Sequence, residues 1–385
     1  MTSNHDDQTG TPASILQTTA EREQALLAPW AMFSHQSLGR QAVETEHPYR
    51  GPFQRDRDRI LHSSAYRRLS GKMQVFTGDM GDYHRTRLTH THEVASIART
   101  IGRTLRLNED LIEALALFHD IGHPPYGHAG EDALDECLAD EGGFSHNQYA
   151  LTIAEELECR HVDTPGLNLS REVLESQAFR VDKEEFLHTP LLEAQVVDAA
   201  DSITYDAHDT DDAVKLGLVS LEELQSLTLI HRCCERIDDR GRPADEDNLR
   251  RAIVHELIDC QVSNLLDTTS EQLAQANWQS AQQARQSDFQ LQLTGSLAEE
   301  KSELESFIHQ HVYRHPTLLA TREIAHQQLH RLFVYFVTHP QQLPPRFSQR
   351  IEHKGLPRAV GDYLAGMTDR YLEISYLEQF PDDKC

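Results

Sequence analysis

An all-α fold is what this sequence predicts, and three observations carry the prediction. Apolar residues recur at spacings of three and four, as at Val94, Ile97, Ala98, Ile101 and Leu105, the period of a helix with one buried face. Helix punctuation is frequent: Asn108, the Gly142-Gly143 pair and Pro190 stand where such stripes begin or end, as capping and breaking residues do. No run alternates with period two between hairpin turns, and there is neither an internal repeat nor a glycine loop that would cradle phosphates.

Size and charge narrow the class. With 385 residues, 38% of them apolar, the chain can bury a sizeable core in one large or two moderate domains. Its longest uninterrupted apolar run, residues 332–337, is six residues against the roughly 20 of a membrane span. Residues 1–13 lack the basic start and apolar middle of a secretory signal, so a cytoplasmic protein is expected. Six cysteines without CxxC spacing read as small core residues in a reducing compartment. A net charge of −26 argues against general affinity for nucleic acid or an anionic membrane. Residues 50–106 invert that balance with twelve Arg or Lys against five Asp or Glu, which suits either a compact anionic ligand or a solvated basic face.

Taken in order, residues 1–20 are polar and read as a disordered or loosely docked tail. Residues 55–76 alternate basic and apolar positions as a helix with arginines on one side, loosened at Gly71, with Lys72, Gln74 and Val75 in a turn. Residues 79–87 form a loop into the helix whose buried stripe starts at His90. Asn108 caps the next helix, apolar on nearly every turn from Leu111 to Phe118, and Gly122 with Pro124-Pro125 stops it. A helix over residues 131–138 ends at Gly142-Gly143. Ser145 and Gln148 then have capping-box spacing, which puts His146 in a first turn.

Residues 160–188 read as irregular apart from a short helix over 171–179. Thr189-Pro190 opens a helix dense in small apolar residues that carries Asp198, Asp201, Tyr205 and Asp209, the last three sharing one face. Further helices are expected over 221–230, 248–266, 304–312, 317–336 and 357–377. The Gln-rich residues 272–292 are the expected mobile insertion.

His119 and Asp120 end a buried helix, where an imidazole and a carboxylate are costly unless paired or bound to a cation. His90 and Asp201 lie on the apolar stripes of two other helices. Any one of these alone reads as a hydrogen-bonded core residue; an adjacent His-Asp with two further ligand types points to a divalent ion such as Mn, Fe, Ni, Co, Zn or Mg. His123 and His128 follow on the loop that leaves the same helix end.

These residues carry a resemblance. His90, His119-Asp120 and Asp201 match the H…HD…D pattern of the HD-domain metal phosphohydrolases. The stretches RDRDRILHSSAYRRLSGKMQVF, HRTRLTHTHEVASIARTIG, HDIGHPPYGHAGEDAL, FSHNQ and VVDAADSITYDAHDTDDA resemble the deoxyguanosinetriphosphate triphosphohydrolase-like branch over roughly residues 30–215. The resemblance implies an all-helical fold, an HD-type core over residues 21–215 and a helical region over 216–385 packed on it. It implies His90, His119, Asp120 and Asp201 as metal ligands and His128, Glu131 and His146 as catalytic residues. Arg67, Arg68, Lys72, Arg87 and His123 are then substrate-binding, with Arg87 and Lys72 or its neighbours toward the phosphates, and Gln74, Tyr205 and Asp209 contact the sugar. The implied reaction converts a deoxynucleoside triphosphate to deoxynucleoside and inorganic triphosphate in a homo-oligomer. The chain departs from the family pattern at His92, usually apolar, and at Ser202, usually a second acid. A phosphomonoesterase or phosphodiesterase of the same domain type would share the metal set without needing the sugar-facing residues. A non-catalytic nucleotide-binding regulator would not need every ligand.

Overall fold

The computed structural model describes residues 17–74, 85–159 and 164–383. They form eighteen α-helices, and the only strand-like pairings among the described residues are isolated bridges such as Met73 with Thr86. The helices are α1 (Thr19–Leu26), α2 (Pro52–Leu61), α3 (Ser64–Arg68), α4 (Arg87–Thr104), α5 (Glu109–Phe118), α6 (His128–Cys137), α7 (His146–Thr152), α8 (Arg171–Val181) and α9 (Leu192–Lys215). After them come α10 (Leu221–Gln225), α11 (Thr228–Arg240), α12 (Glu246–Ala276), α13 (Ala281–Arg285), α14 (Ser296–Ile308), α15 (Pro316–Thr338), α16 (Pro345–Lys354), α17 (Leu356–Ala365) and α18 (Asp369–Gln379). None of them is long and apolar enough to cross a membrane.

α5 is the central rod. Leu111, Ile112 and every residue from Ala114 to Phe118 are buried, because α2, α4 and α9 pack around it. Asn108 caps it as the sequence predicts, its side chain accepting from Leu111 N at 3.3 Å. Its last turn therefore delivers His119 and Asp120 into the protein interior. α9 crosses beside it and enters two cores. Ala194, Val197, Ala200 and Ile203 join the cluster around α5, whereas Ala207 and Ala213 join a second cluster built with α10, α11, α12 and α14. The expected division near residue 215 thus falls at the end of a helix that serves both halves.

Several element boundaries differ from expectation, each for a local reason. Of the expected tail, residues 1–16 lie outside the described residues, while Thr19 and Ala20 already open α1 through a capping box between Thr18 and Glu21. The single helix expected over residues 55–76 breaks at His62, because the Ser63 hydroxyl accepts from Tyr66 N at 3.1 Å and starts α3. Val75, Phe76 and residues 79–84 of the expected loop lie outside the described residues, as do 160–163. Ser145 stands at the N-cap of α7 without capping by its side chain. Thr189-Pro190 precedes α9 without opening it: Thr189 N donates to Arg285 O at 2.9 Å, and the helix begins at Leu192.

The expected helices over 221–230 and 357–377 are each two, interrupted at Ser226-Leu227 and at Gly366–Thr368, and α16 was not anticipated. α12 is longer than its stripe suggested, and the 304–312 segment is the end of α14 followed by a π-turn, His309–Tyr313. In the Gln-rich segment, α12 continues through Ala276, and Ala281, Ala284 and Leu291 are buried against the body.

Candidate active site

Three helices bring the sequence-predicted ligand set together. His90 from α4, His119 at the C-cap of α5 and the following Asp120 offer ligand atoms all within 4.8 Å of one another. Asp201 of α9 puts Oδ1 at 3.0 Å from His90 Nε2 and 3.6 Å from His119 Nε2. Proton accounting shows what this cluster is built for. His119 Nδ1 donates to Ala116 O at 2.6 Å, so its Nε2 carries a lone pair, and that atom is buried without a hydrogen-bond partner. His90 Nδ1 lies 3.3 Å from His208 Nδ1, and His208 Nε2 meets the Glu93 carboxylate. If each link donates toward Glu93, His90 Nε2 is also bare. Bare nitrogens facing carboxylate oxygens repel unless a cation lies between them, so the donor set fits a divalent ion held by His90, His119, Asp120 and Asp201.

Charge settles the carboxylates in their ionised form. Burial alone would raise Asp120, but His123, Arg87 and His119 outweigh it and hold the carboxyl well below its usual range. Without an ion, an Nε2–H on His119 or His90 would stand where the ion goes, and such contacts hold Asp201 down against its burial. The two Asp120 oxygens are fixed from opposite sides: Arg87 donates to Oδ2 at 2.9 Å and His123 Nδ1 lies 3.0 Å from Oδ1. Arg87 also donates to Gln74 O at 3.1 Å. A Cβ on Gly127, which has φ +57°, would come within 2.6 Å of the Arg87 guanidinium, so glycine there is a condition of this pairing.

A second group adjoins the first. Glu131 accepts from His146 N at 2.8 Å and from His146 Nδ1 at 2.7 Å, and its other oxygen lies 3.2 Å from His128 Nδ1. This carboxylate replaces the Ser145 cap expected from sequence. Burial pushes Glu131 up, but the bonds from His128 and His146 outweigh it and hold the carboxyl far below its usual range. The His123 ring stacks on His146 with centroids 3.8 Å apart, so His123 joins Asp120 to the Glu131–His146 pair. A Cβ on Gly122 would lie 2.0 Å from His146 O, which is why the loop can pass this close to α7. With Nδ1 committed to Glu131, His146 has Nε2 available for proton transfer.

The remaining predicted residues divide. Gln74 and Tyr205 line a cavity of about 390 Å³ with Tyr126, His128, Tyr313 and Arg322, and the buried Gln74 Oε1 has no partner. A neighbouring cavity of about 440 Å³ contains Asp201, Tyr205 and Asp209. Asp209 is buried and accepts from the Tyr313 hydroxyl; burial, with Asp212 and Asp206 nearby, pushes its carboxyl well up despite that bond.

Of the expected phosphate-facing cations, Arg87 and Lys72 stand beside the cluster but are paired within the fold. Arg87 is 1% exposed and committed to Asp120 and Gln74. Lys72 is buried, and its Nζ donates to His123 O at 2.5 Å and Ala365 O at 3.0 Å. Arg67 is exposed, and Arg68 donates to Gly366 O beside a different cavity. Most of the basic 50–106 segment is neutralised internally: Arg55 and Arg59 by Glu44, Arg57 by Asp58 and Glu113, Arg85 by Asp211 and Asp212, Arg103 by Glu109. His92 points away from the cluster to Tyr66, 3.3 Å from its hydroxyl.

Sequence reasoning missed His208, Glu93, Tyr313 and Asp369. His208 lies seven residues after Asp201 and Glu93 three after His90, spacings that share a helix face and would have revealed the chain behind His90. Asp369 accepts from Met73 N at 2.8 Å and from Tyr126 N at 3.0 Å, where Tyr126 has φ +61°. It ties α18 to both loops of the site, a pairing that no local signal announces.

The HD domain family matches residues 87–206, and the phosphohydrolase-associated domain matches residues 291–377. A deoxyguanosinetriphosphate triphosphohydrolase-like protein of Deinococcus deserti is 42% identical over 356 residues, covering 91% of this chain and 93% of that one. Proteins described in the same words from Leptospira interrogans and Nitrosomonas europaea are each 37% identical over 92% of this chain, covering 97% and 98% of theirs.

Proposed function

This chain belongs to the deoxyguanosinetriphosphate triphosphohydrolase-like family of HD-domain phosphohydrolases, and from that premise we propose that it hydrolyses deoxynucleoside triphosphates to deoxynucleoside and inorganic triphosphate. One observation carries the reading: Asp120 of the ligand cluster and the Glu131-fixed His146 are joined through His123, beside cavities framed by Tyr205 and Tyr313. A divalent ion held by His90, His119, Asp120 and Asp201 would supply Lewis acidity toward an α-phosphate oxygen. His146 donates a proton from Nε2 to the departing 5′ oxygen, while Glu131 holds its ring and tautomer. Arg87 and His123 orient Asp120 and do not touch substrate. Tyr205 packs against the sugar, and Asp209 with Tyr313 takes the 3′-hydroxyl.

A cytoplasmic homo-oligomer accompanies this reading. The test is incubation of the purified protein with each of the four deoxynucleoside triphosphates and Mn or Mg, with product identification. Release of deoxynucleoside and triphosphate supports the proposal. Orthophosphate or a nucleoside monophosphate as product would replace it with a phosphatase or phosphodiesterase activity.

A further inference from the structure

A second set of ligand atoms lies beside the first cluster. His123, Glu131 and His146 can each present one such atom so that the three lie within 4.8 Å of one another. His123 Nδ1 lies 3.0 Å from Asp120 Oδ1 and 3.3 Å from Asp120 O. Both of those are acceptors, so Nδ1 carries the proton and Nε2 keeps its lone pair. His146 Nδ1 lies 2.7 and 2.9 Å from the two Glu131 oxygens, which leaves Nε2 of the neutral ring in the same state. The two rings stack with their planes 23° apart. His128 stands next to them, its ring centroid 5.5 Å from that of His123 and 6.1 Å from that of His146. It is half-exposed and lines the cavity of about 390 Å³, so an ion reaches the group from that side.

We propose that this group is a second, inhibitory metal site, which takes an ion such as Zn, Ni or Cu on His123, Glu131 and His146 with His128 beside them. A ligand set of imidazoles and one carboxylate suits such ions, whereas Mg prefers oxygen ligands and Mn stands at the weak end of the divalent series. The Mn or Mg that serves the four-ligand cluster therefore leaves this site empty. An ion on His146 excludes the proton that this ring delivers to the 5′ oxygen, and an ion on Glu131 occupies the carboxylate that fixes the ring. Turnover then stops while His90, His119, Asp120 and Asp201 keep their own ion. The inhibition rests on the triphosphohydrolase reading, whereas the ion site rests on the ligand geometry.

Metal content per chain tests this, measured by elemental mass spectrometry on the full-length protein equilibrated with zinc sulfate and freed of unbound ion, with helical content of each variant checked by circular dichroism. Wild type retains two zinc ions, and a single manganese ion when manganese replaces zinc. His146→Gln and Glu131→Gln each retain one zinc ion, because loss of a ligand weakens the second site by about 100-fold or more, where even an outer partner costs about 10- to 100-fold. His119→Ala also retains one, and the double variant His119→Ala with His146→Gln retains none. As zinc is titrated into wild type, the four-ligand cluster fills first, and triphosphate release falls with the second equivalent. A single zinc ion in wild type, or two in both His146→Gln and Glu131→Gln, overturns the assignment. Two zinc ions in wild type, one of them lost in His146→Gln, with no deoxynucleotide hydrolysed at any loading keeps the ion site and removes the functional reading. Deoxynucleotide hydrolysis by a wild type that holds one zinc ion does the reverse.

Discussion

Replacing Glu131 separates the proton-transfer part of the site from the metal part. Glu131 is 17% exposed at its side chain and accepts two bonds from His146, at 2.8 and 2.7 Å; its contact with the half-exposed His128 adds little. Bonds to a charged partner contribute about 1.5–3 kcal/mol each, so Glu131→Ala costs about 3–6 kcal/mol of positioning for the His146 tautomer. If that loss falls on the transition state, at about 1.4 kcal/mol per tenfold, turnover drops by about 10²–10⁴. Glu131→Gln keeps an acceptor but not the charge, and a neutral bond retains about half the strength, so its loss is about 10- to 100-fold. The assay is inorganic triphosphate release at saturating deoxynucleotide with bound metal measured in parallel. Metal content stays at the wild-type level in both variants, because Glu131 is not in the His90–His119–Asp120–Asp201 cluster. An alanine variant within threefold of wild type, or a glutamine variant slower than the alanine one, refutes the assignment.

His119→Ala removes the cluster's buried, unpartnered Nε2 and loses bound metal and activity with helical content retained; full metal occupancy in that variant would count against the cluster. Asp209→Asn lowers kcat/KM about tenfold for a deoxynucleotide and leaves its 3′-deoxy analogue unchanged, while wild type turns over the ribonucleotide poorly. Equal wild-type rates on all three sugars would show that the Tyr205–Asp209 face does not read them. Burial lowers Lys72 to about 7 from its usual 10.5. Between these values the unfolded chain holds the proton and the folded chain does not, so this site adds stability as pH rises from 7. Wild type should gain on Lys72→Met in thermal midpoint over that range; a gap independent of pH contradicts a neutral buried Lys72.

What was legible in the sequence was whatever a single helix expresses. The stripe from His90, the cap at Asn108 and the apolar run ending at His119-Asp120 each reflect backbone geometry and one buried face, and the structure reproduces them. The breaks at His62, Ser226-Leu227 and Gly366–Thr368 were not legible, because the apolar spacing continues across them while the Ser63 and Thr368 hydroxyls cap the first and third restarts and Glu303, distant in sequence, takes the Thr228 N–H at the second. At the site, residue types were readable and partnerships were not. Arg87 and Lys72 read as cations for a ligand, yet tertiary packing turns them onto Asp120 and onto two backbone carbonyls. Glu131 was recognised by position, but its capping of α7 in place of Ser145 depends on the loop at Gly122, whose close approach no local pattern encodes.

In the proposed reaction water attacks the α-phosphorus and the 5′ oxygen leaves with a proton. Hydrolysis of a deoxynucleoside triphosphate in ¹⁸O-labelled water, with the products resolved by mass spectrometry, tests it most directly. Attack at the α-phosphorus puts one labelled oxygen in inorganic triphosphate and none in the deoxynucleoside. Label in orthophosphate beside a nucleoside diphosphate, or in the 5′-hydroxyl of the nucleoside, would contradict it.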